Sequence, residues 1–313
     1  RNNILIKGGS LQNTVINWSF PTSMSLFEKT ELESLYDQVI EKYFGQIRSV
    51  PVTESIAPFY YLRENGGLIA NISPVASVDI GGGTTDIVIY QNGEAQKLSS
   101  FKFGANTLYQ NGVNGNPSEN GFKTLIQSFI EQNKTSIKFT KLEAHLKLYA
   151  QSSEEQEIVN YLFRVENSNE FKNSLIISFS ELIKSNPDTK IIYLYYFSSI
   201  IYHLAQYSDK MGFDPMSTIS FTGQGAKVLR FIDSSSRLRL LSKLVTKIFK
   251  HVYQRDVSEI NIQLLPNPKE ITAKGLLFTS ANIEADHLID VLISSKNQTL
   301  KSSDNISYRQ LDR

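Results

Sequence analysis

Three consecutive glycines set between acids constrain this chain more than any other stretch: Asp79-Ile80-Gly81-Gly82-Gly83-Thr84-Thr85-Asp86. Residues 75–80 before the glycines and 85–90 after them are apolar and β-branched, so the loop joins two strands. A P-loop differs, because its glycines lead into a helix. Glycines at 81, 82 and 83 leave backbone N–H groups open to a phosphate, with no Cβ in the way. The hydroxyls of Thr84 and Thr85 are placed to donate to phosphate oxygens. Asp79, at the strand's end, is placed to hold a hydrated Mg²⁺, which keeps several waters and takes one or two carboxylates. Asp86 is placed to orient a water or to support the ion's ligands from behind. The competing reading is a tight glycine turn that binds nothing. The flanking acids, the paired threonines and the strands on both sides favour the phosphate.

The rest of the chain organises around that loop. Residues 13–20 have strand composition, and Ser25 with Glu28 forms a capping box at the head of a helix. Along that helix Leu32, Leu35, Tyr36, Val39, Ile40 and Tyr43 recur at spacings of three and four, predicting one buried face, and Gly45 sits where a C-terminal cap belongs. A strand over 47–52 leads to Glu54 and a short helix over 55–62. After the loop, Asn92-Gly93 predicts a hairpin and a third strand over 98–103. Residues 111–121 are polar and glycine-rich, and helical patterns follow over 122–132, 141–150 and 154–163. Next come a buried helix over 191–207, a strand over 218–222, the turn Gly223-Gln224-Gly225 and a helix over 239–253. A strand over 260–264 and a helix over 270–278 complete the pattern.

Composition narrows the chemistry. With 32 basic against 31 acidic residues among 313, net charge gives nucleic-acid binding no support. There are no cysteines, which excludes a disulfide framework, a cysteine zinc site and a thiol nucleophile, and is compatible with a reducing, cytoplasmic setting. The apolar run 191–205 is interrupted by Ser198, Ser199 and His203 and is shorter than the roughly 20 residues of a membrane span. Histidines 145, 203, 251 and 287 match no metal-ligand spacing. Lys243, Lys247, Lys250 and Arg255 form a basic stripe that reads as a solvated helix face.

Residues 79–86 followed by Ile87-Val88-Ile89-Tyr90 resemble the second phosphate motif of the actin/Hsp70/sugar-kinase superfamily, with most likeness to bacterial actin-like proteins of the cell-division type. Ile219-Ser220-Phe221-Thr222-Gly223-Gln224-Gly225 resembles the family's adenosine motif, with Gln224 where most relatives have a second adjacent glycine. Residues 270–277 (EITAKGLL) resemble the small-residue helix that packs two lobes together, and 52–57 (VTESIA) the segment that joins them. The family's first phosphate motif, an Asp-x-Gly-(Thr/Ser) hairpin, is not found before Asn13, and with Arg1 rather than Met in first place the chain reads as part of something longer.

The resemblance implies an α/β fold of the actin-like ATPase (ribonuclease H-like) type, with mixed five-stranded sheets flanked by helices. It implies the remainder of a first lobe at 1–68, a second, nucleotide-binding lobe at 74–110 and 189–295, a mainly helical insertion at 111–188 and a polar tail at 296–313. ATP or ADP with Mg²⁺ would lie between the lobes, held by Asp79, Gly81, Gly82, Gly83, Thr84, Thr85 and Asp86 on one side and Gly223, Gln224 and Gly225 on the other. In the resemblance Glu54 falls where relatives position an attacking water, although it reads equally as a cap for the helix that follows. The expected function is slow ATP hydrolysis coupled to lobe closure, serving self-assembly or a protein partner. A non-catalytic scaffold of the same fold and a small-molecule kinase remain as alternatives.

Overall fold

The computed structural model describes residues 1–21, 24–65, 73–108, 121–135, 178–233, 235, 237–265 and 268–279. The helices expected over 141–150 and 154–163, the loop over 111–120, His145, His287 and the polar tail lie outside these residues.

Within them the chain forms an α/β structure built on two sheets. After a short helix α1 (Asn2–Ile6), the first sheet pairs β1 (Val15–Phe20) with β2 (Arg48–Thr53) in parallel, and α2 (Leu26–Phe44) makes the crossover. The capping box is formed in both directions: Ser25 accepts from the Glu28 N–H, and the Glu28 carboxylate accepts from the Ser25 N–H at 2.8 Å. Gly45 closes the helix with its N–H on Glu41 O at 3.0 Å. The burial expected along α2 is not found. Ile40 is buried and Leu32 partly so, but Leu35 is 58% and Val39 52% exposed, and Tyr36 and Tyr43 are also exposed. A sheet of two strands gives a 19-residue helix little to lie on, so only the part of the helix facing β1 and β2 is covered, with Tyr36 stacked flat on Trp18 at 4.2 Å.

The second sheet has five strands in the order β5–β4–β3–β6–β7. β3 (Val75–Ile80), β4 (Thr85–Gln91) and β5 (Glu94–Phe101) form an antiparallel meander, whereas β6 (Thr218–Thr222) and β7 (Asn261–Leu264) run parallel to β3. Both faces are covered, which is why β3 and β4 read as near-continuous apolar runs. Ala76, Val78, Ile80, Ile87 and Ile89 face a large core shared with α4 (Gly121–Asn133), α5 (Phe179–Ser185), α6 (Pro187–Lys210), α7 (Leu229–Ile232) and α8 (Arg239–Tyr253). Val75, Val88, Tyr90 and Leu98 face the other way, onto Trp18, Phe20, Ile56, Phe59 and Tyr60. There Phe59 of α3 (Ala57–Glu64) stacks on Tyr90 with ring centroids 3.9 Å apart.

Two apolar patterns are buried on one side only. α6 buries Tyr193, Phe197, Ile200, Ile201 and Leu204 but exposes Ile191, Ile192, Tyr195 and Tyr202. α8 buries Leu241, Val245 and Phe249 and leaves Leu240 exposed. Among the described residues no helix is long and apolar enough to cross a membrane.

The two sheets meet through a helix pair. α3 follows β2 and α9 (Pro268–Thr279) follows β7, so each sheet ends in a helix and the two helices pack together. Their approach is backbone to backbone: a Cβ on Gly275 would lie 1.8 Å from Ala57 O. Asn17 of β1 also donates its side-chain amide to Leu276 O. Gly275→Ala is therefore expected to force the helices apart and cost about 2–4 kcal/mol in a urea or guanidinium titration. A variant as stable as the parent would contradict this contact.

Candidate functional site

Strand order places the site. β3 continues into β4 on one side while β6, its parallel neighbour, arrives on the other, so the carboxyl ends of β3 and β6 share a rim where chain direction diverges. In α/β sheets ligands bind beyond the carboxyl ends of the parallel strands. Asp79 stands at this rim, paired with Asp86 across the antiparallel ladder and with Thr222 across the parallel one. Cross-strand partners share a face. Asp79, Asp86 and Thr222 therefore lie on the side that packs against β1 and α3, where the apolar pair Val75 and Tyr90 gives way to polar residues toward the rim.

The glycine loop is tightly laced. Gly81 N–H donates to Thr84 O at 2.9 Å, closing the turn. The carbonyls of Gly83, Gly81 and Gly82 accept in turn from the N–H groups of Gly104, Ala105 and Asn106 at 3.2, 2.9 and 2.8 Å. With the carbonyls occupied from behind, Gly82 and Gly83 present an exposed backbone. The Asn106 amide lies against Gly82, where an added Cβ would come within 3.2 Å of its nitrogen. Thr84 is partly exposed beside the loop. Thr85 has another employment: it is fully buried, and its hydroxyl donates to Phe103 O at 2.7 Å. The structure thus commits to the loop's anchorage a hydroxyl expected to meet a phosphate. The strap at 104–106 was not among the residues singled out in the sequence, where Gly104 after the third strand was its only signal.

The second turn comes directly onto the first. Gly223 has φ +80°, and a Cβ there would lie 2.3 Å from both Asp79 Oδ1 and Ile80 O. No other residue type fits, on conformation and on space together. A Cβ on Gly225 would lie 2.6 Å from the Ile80 side chain and 2.8 Å from Ala105 Cβ. Gln224 between them adopts right-handed helical backbone at φ −67°, heads the 3₁₀ turn Gly225–Val228 and keeps its side chain in solvent. The residue that replaces a glycine of the resembling motif therefore leaves the approach of the two turns intact.

Glu54 reaches the same rim from the first sheet, its N–H donating to Phe20 O at 3.0 Å. It does not cap α3, which begins at Ala57 with Ile56 in the cap position and no side-chain bond there. Three carboxylates therefore share one rim, and two of them, Asp79 and Glu54, are held above the usual carboxylate range. Burial, and then the charges of Asp86 and Glu54, push Asp79 up to about 6, opposed by the neighbouring Thr222 hydroxyl. Burial followed by Asp86 raises Glu54 as well, although its side chain is solvent-accessible. Among the described residues no group of three or more His, Cys, Asp or Glu is arranged to hold a metal ion. The donor set instead suits an ion that takes one carboxylate and keeps its waters, which is how Mg²⁺ binds beside phosphates.

No family model matches the chain, and no curated protein matches it. Solved structures do. MreB5 of Spiroplasma citri bound to ADP is 14% identical, with 89% of this chain and 73% of that one covered at a TM-score of 0.44. A non-polymerising mutant of MamK bound to AMPPNP is 14% identical, with coverage of 90% and 73% and a TM-score of 0.48. The ethanolamine utilization protein EutJ from Carboxydothermus hydrogenoformans is 12% identical, with coverage of 84% and 64% and a TM-score of 0.39.

The buried acid has a measurable consequence. Because folding raises Asp79 from 3.8 to about 6, the native state holds this proton more tightly than the unfolded chain does. Stability then falls as pH climbs through that interval, and the cost is complete above it. Asp79→Asn, without added metal or nucleotide, is expected to be more stable than the parent at pH 7.5 by on the order of 2–3 kcal/mol, and equal to it near pH 4. Thermal melts of both proteins across this range check the sign. A variant less stable at pH 7.5 would contradict the assignment.

Proposed function

We propose that this protein binds a Mg²⁺-nucleotide at the rim of the five-stranded sheet, with the phosphates on the 81–84 loop and the nucleoside toward the 223–225 turn. The observation that carries the reading is the seating of Gly223 against the Asp79 carboxylate, which brings the 223–225 turn onto the end of the strand that leads into the 81–84 loop. The remaining features support it. The loop's carbonyls are tied back by Gly104, Ala105 and Asn106 while Gly82 and Gly83 stay exposed, leaving backbone amides as the groups available to an anion. Asp79 is the carboxylate for the ion, and Asp86 stands beside it across the ladder. The chemistry that Mg²⁺ supplies when bound is neutralisation of phosphate charge. It would also offset the burial, and then the mutual repulsion, that raise Asp79 and Glu54.

Glu54 is assigned the role of orienting a water toward the terminal phosphate. It is accessible, is drawn into the carboxylate group by position, and is not engaged as a helix cap. Hydrolysis of this type needs positioning and charge stabilisation more than covalent chemistry. The coupling is to movement of the first sheet against the second, serving self-assembly or a protein partner. A non-catalytic module of the same fold would bind but not turn over, so binding and turnover are measured separately.

Calorimetry with ATP and Mg²⁺ is expected to give saturable binding that Asp79→Ala weakens at least about tenfold. Glu54→Gln is expected to keep binding within about twofold while phosphate release falls by a factor on the order of 10². Equal affinity in the parent and Asp79→Ala would sink the role of Asp79. Unchanged turnover in Glu54→Gln would sink that of Glu54, and no turnover in the parent would leave the binding module as the correct reading.

A further inference from the structure

Thr222 is the residue at the rim that the reading so far leaves without a task. It ends β6 one position before Gly223, and it is the parallel-ladder partner of Asp79. Its side chain is fully buried at 0% exposure, and the hydroxyl oxygen has no hydrogen bond of its own. The hydroxyl nevertheless lies close enough to the Asp79 carboxyl to favour its charged form. A buried hydroxyl is costly unless it donates, and the Asp79 carboxylate is the acceptor beside it. Valine has nearly the same shape, suits a strand as well and carries no such cost.

We infer that Thr222 is a positioning residue for cation-assisted nucleotide binding: its O–H donates to one oxygen of the Asp79 carboxylate and leaves the other directed at the ion. The inference rests on the nucleotide reading above and gives a task to Thr222, which the 219–225 motif contains but to which that reading assigns no role. The surroundings restrict the carboxylate from the remaining sides. The Gly223 backbone closes one side, where even a Cβ would lie 2.3 Å from Asp79 Oδ1, and Asp86 stands across the antiparallel ladder. Thr222 is thus the hydroxyl donor that the parallel ladder sets beside this carboxylate. Its contribution is to orientation, so it belongs to the Mg²⁺-dependent part of the affinity alone.

The test uses the protein with Thr222→Val and Thr222→Ser, and reads ATP affinity with Mg²⁺ and again with EDTA, together with thermal stability. Thr222→Val is expected to lose about tenfold in affinity with Mg²⁺, to be unchanged in EDTA, and to melt at the same or a higher temperature than the parent. Thr222→Ser, which keeps the hydroxyl, is expected to restore most of the Mg²⁺-dependent affinity. A purely structural role would give the opposite pair of results, a lower melting temperature and equal losses with and without Mg²⁺. If the parent binds with Mg²⁺ and Thr222→Val binds equally well, the positioning role is overturned and the nucleotide reading stands. If the parent itself shows no Mg²⁺-dependent binding, both are overturned.

Discussion

Everything at the candidate site depends on one close approach, the backbone of Gly223 against the end of β3. A side chain there would collide with the Asp79 carboxylate and with Ile80 O, so a glycine at this position lets two distant turns share a wall. The parallel pairing of β3 with β6 brings the turns to the same rim, and the antiparallel meander β3–β4–β5 folds the glycine loop back over Gly104 and Asn106. The glycine loop alone is a tight turn. Gly223 and its neighbour Gly225 pack against the strand that leads into it, and its backbone is fixed in advance by hydrogen bonds that no ligand has to form. Such preorganisation lowers the entropic cost of binding.

The same approach explains the electrostatics. Asp79 is enclosed by Gly223 and by the strands on either side, with Asp86 opposite and Glu54 arriving from the other sheet. Three acids with raised proton affinity in two of them are unfavourable for the fold by itself. Perturbed carboxylates in a crevice mark a functional site more often than a structural one. Under the proposed reading a cation bound here would offset that cost, linking stability and ligand affinity through the same side chains. Glu54 lies just before α3, and the Ala57–Gly275 contact ties α3 to the helix that follows β7.

Much of this was legible in the sequence, for local reasons. The glycine loop between strands, the capping box at Ser25 and Glu28, the hairpin at Asn92-Gly93 and the bounds of the helix at 239–253 are set by near neighbours, and the structure has each of them. The strand order is not local, so neither the pairing of Asp79 with Thr222 nor the strap at 104–106 was visible. Thr85 shows the limit well. Its residue type suits a phosphate, but whether its hydroxyl faces outward is decided by Phe103, 18 residues away. The exposed stripe on α2 shows the converse: periodicity marks an apolar face but not whether a surface exists to cover it. Glu54 was read two ways, and the start of α3 at Ala57, with Ile56 in the cap position, removes the helix-cap reading.

The central claim is that the 81–86 loop and the 223–226 turn form one binding surface. Hydrogen exchange of the backbone amides, followed by mass spectrometry with and without Mg²⁺ and ATP, tests it most directly. The account requires both segments to slow together on addition of the ligand, with α2 and α8 unchanged. Protection of one segment without the other, or protection confined to a different part of the chain, would contradict it.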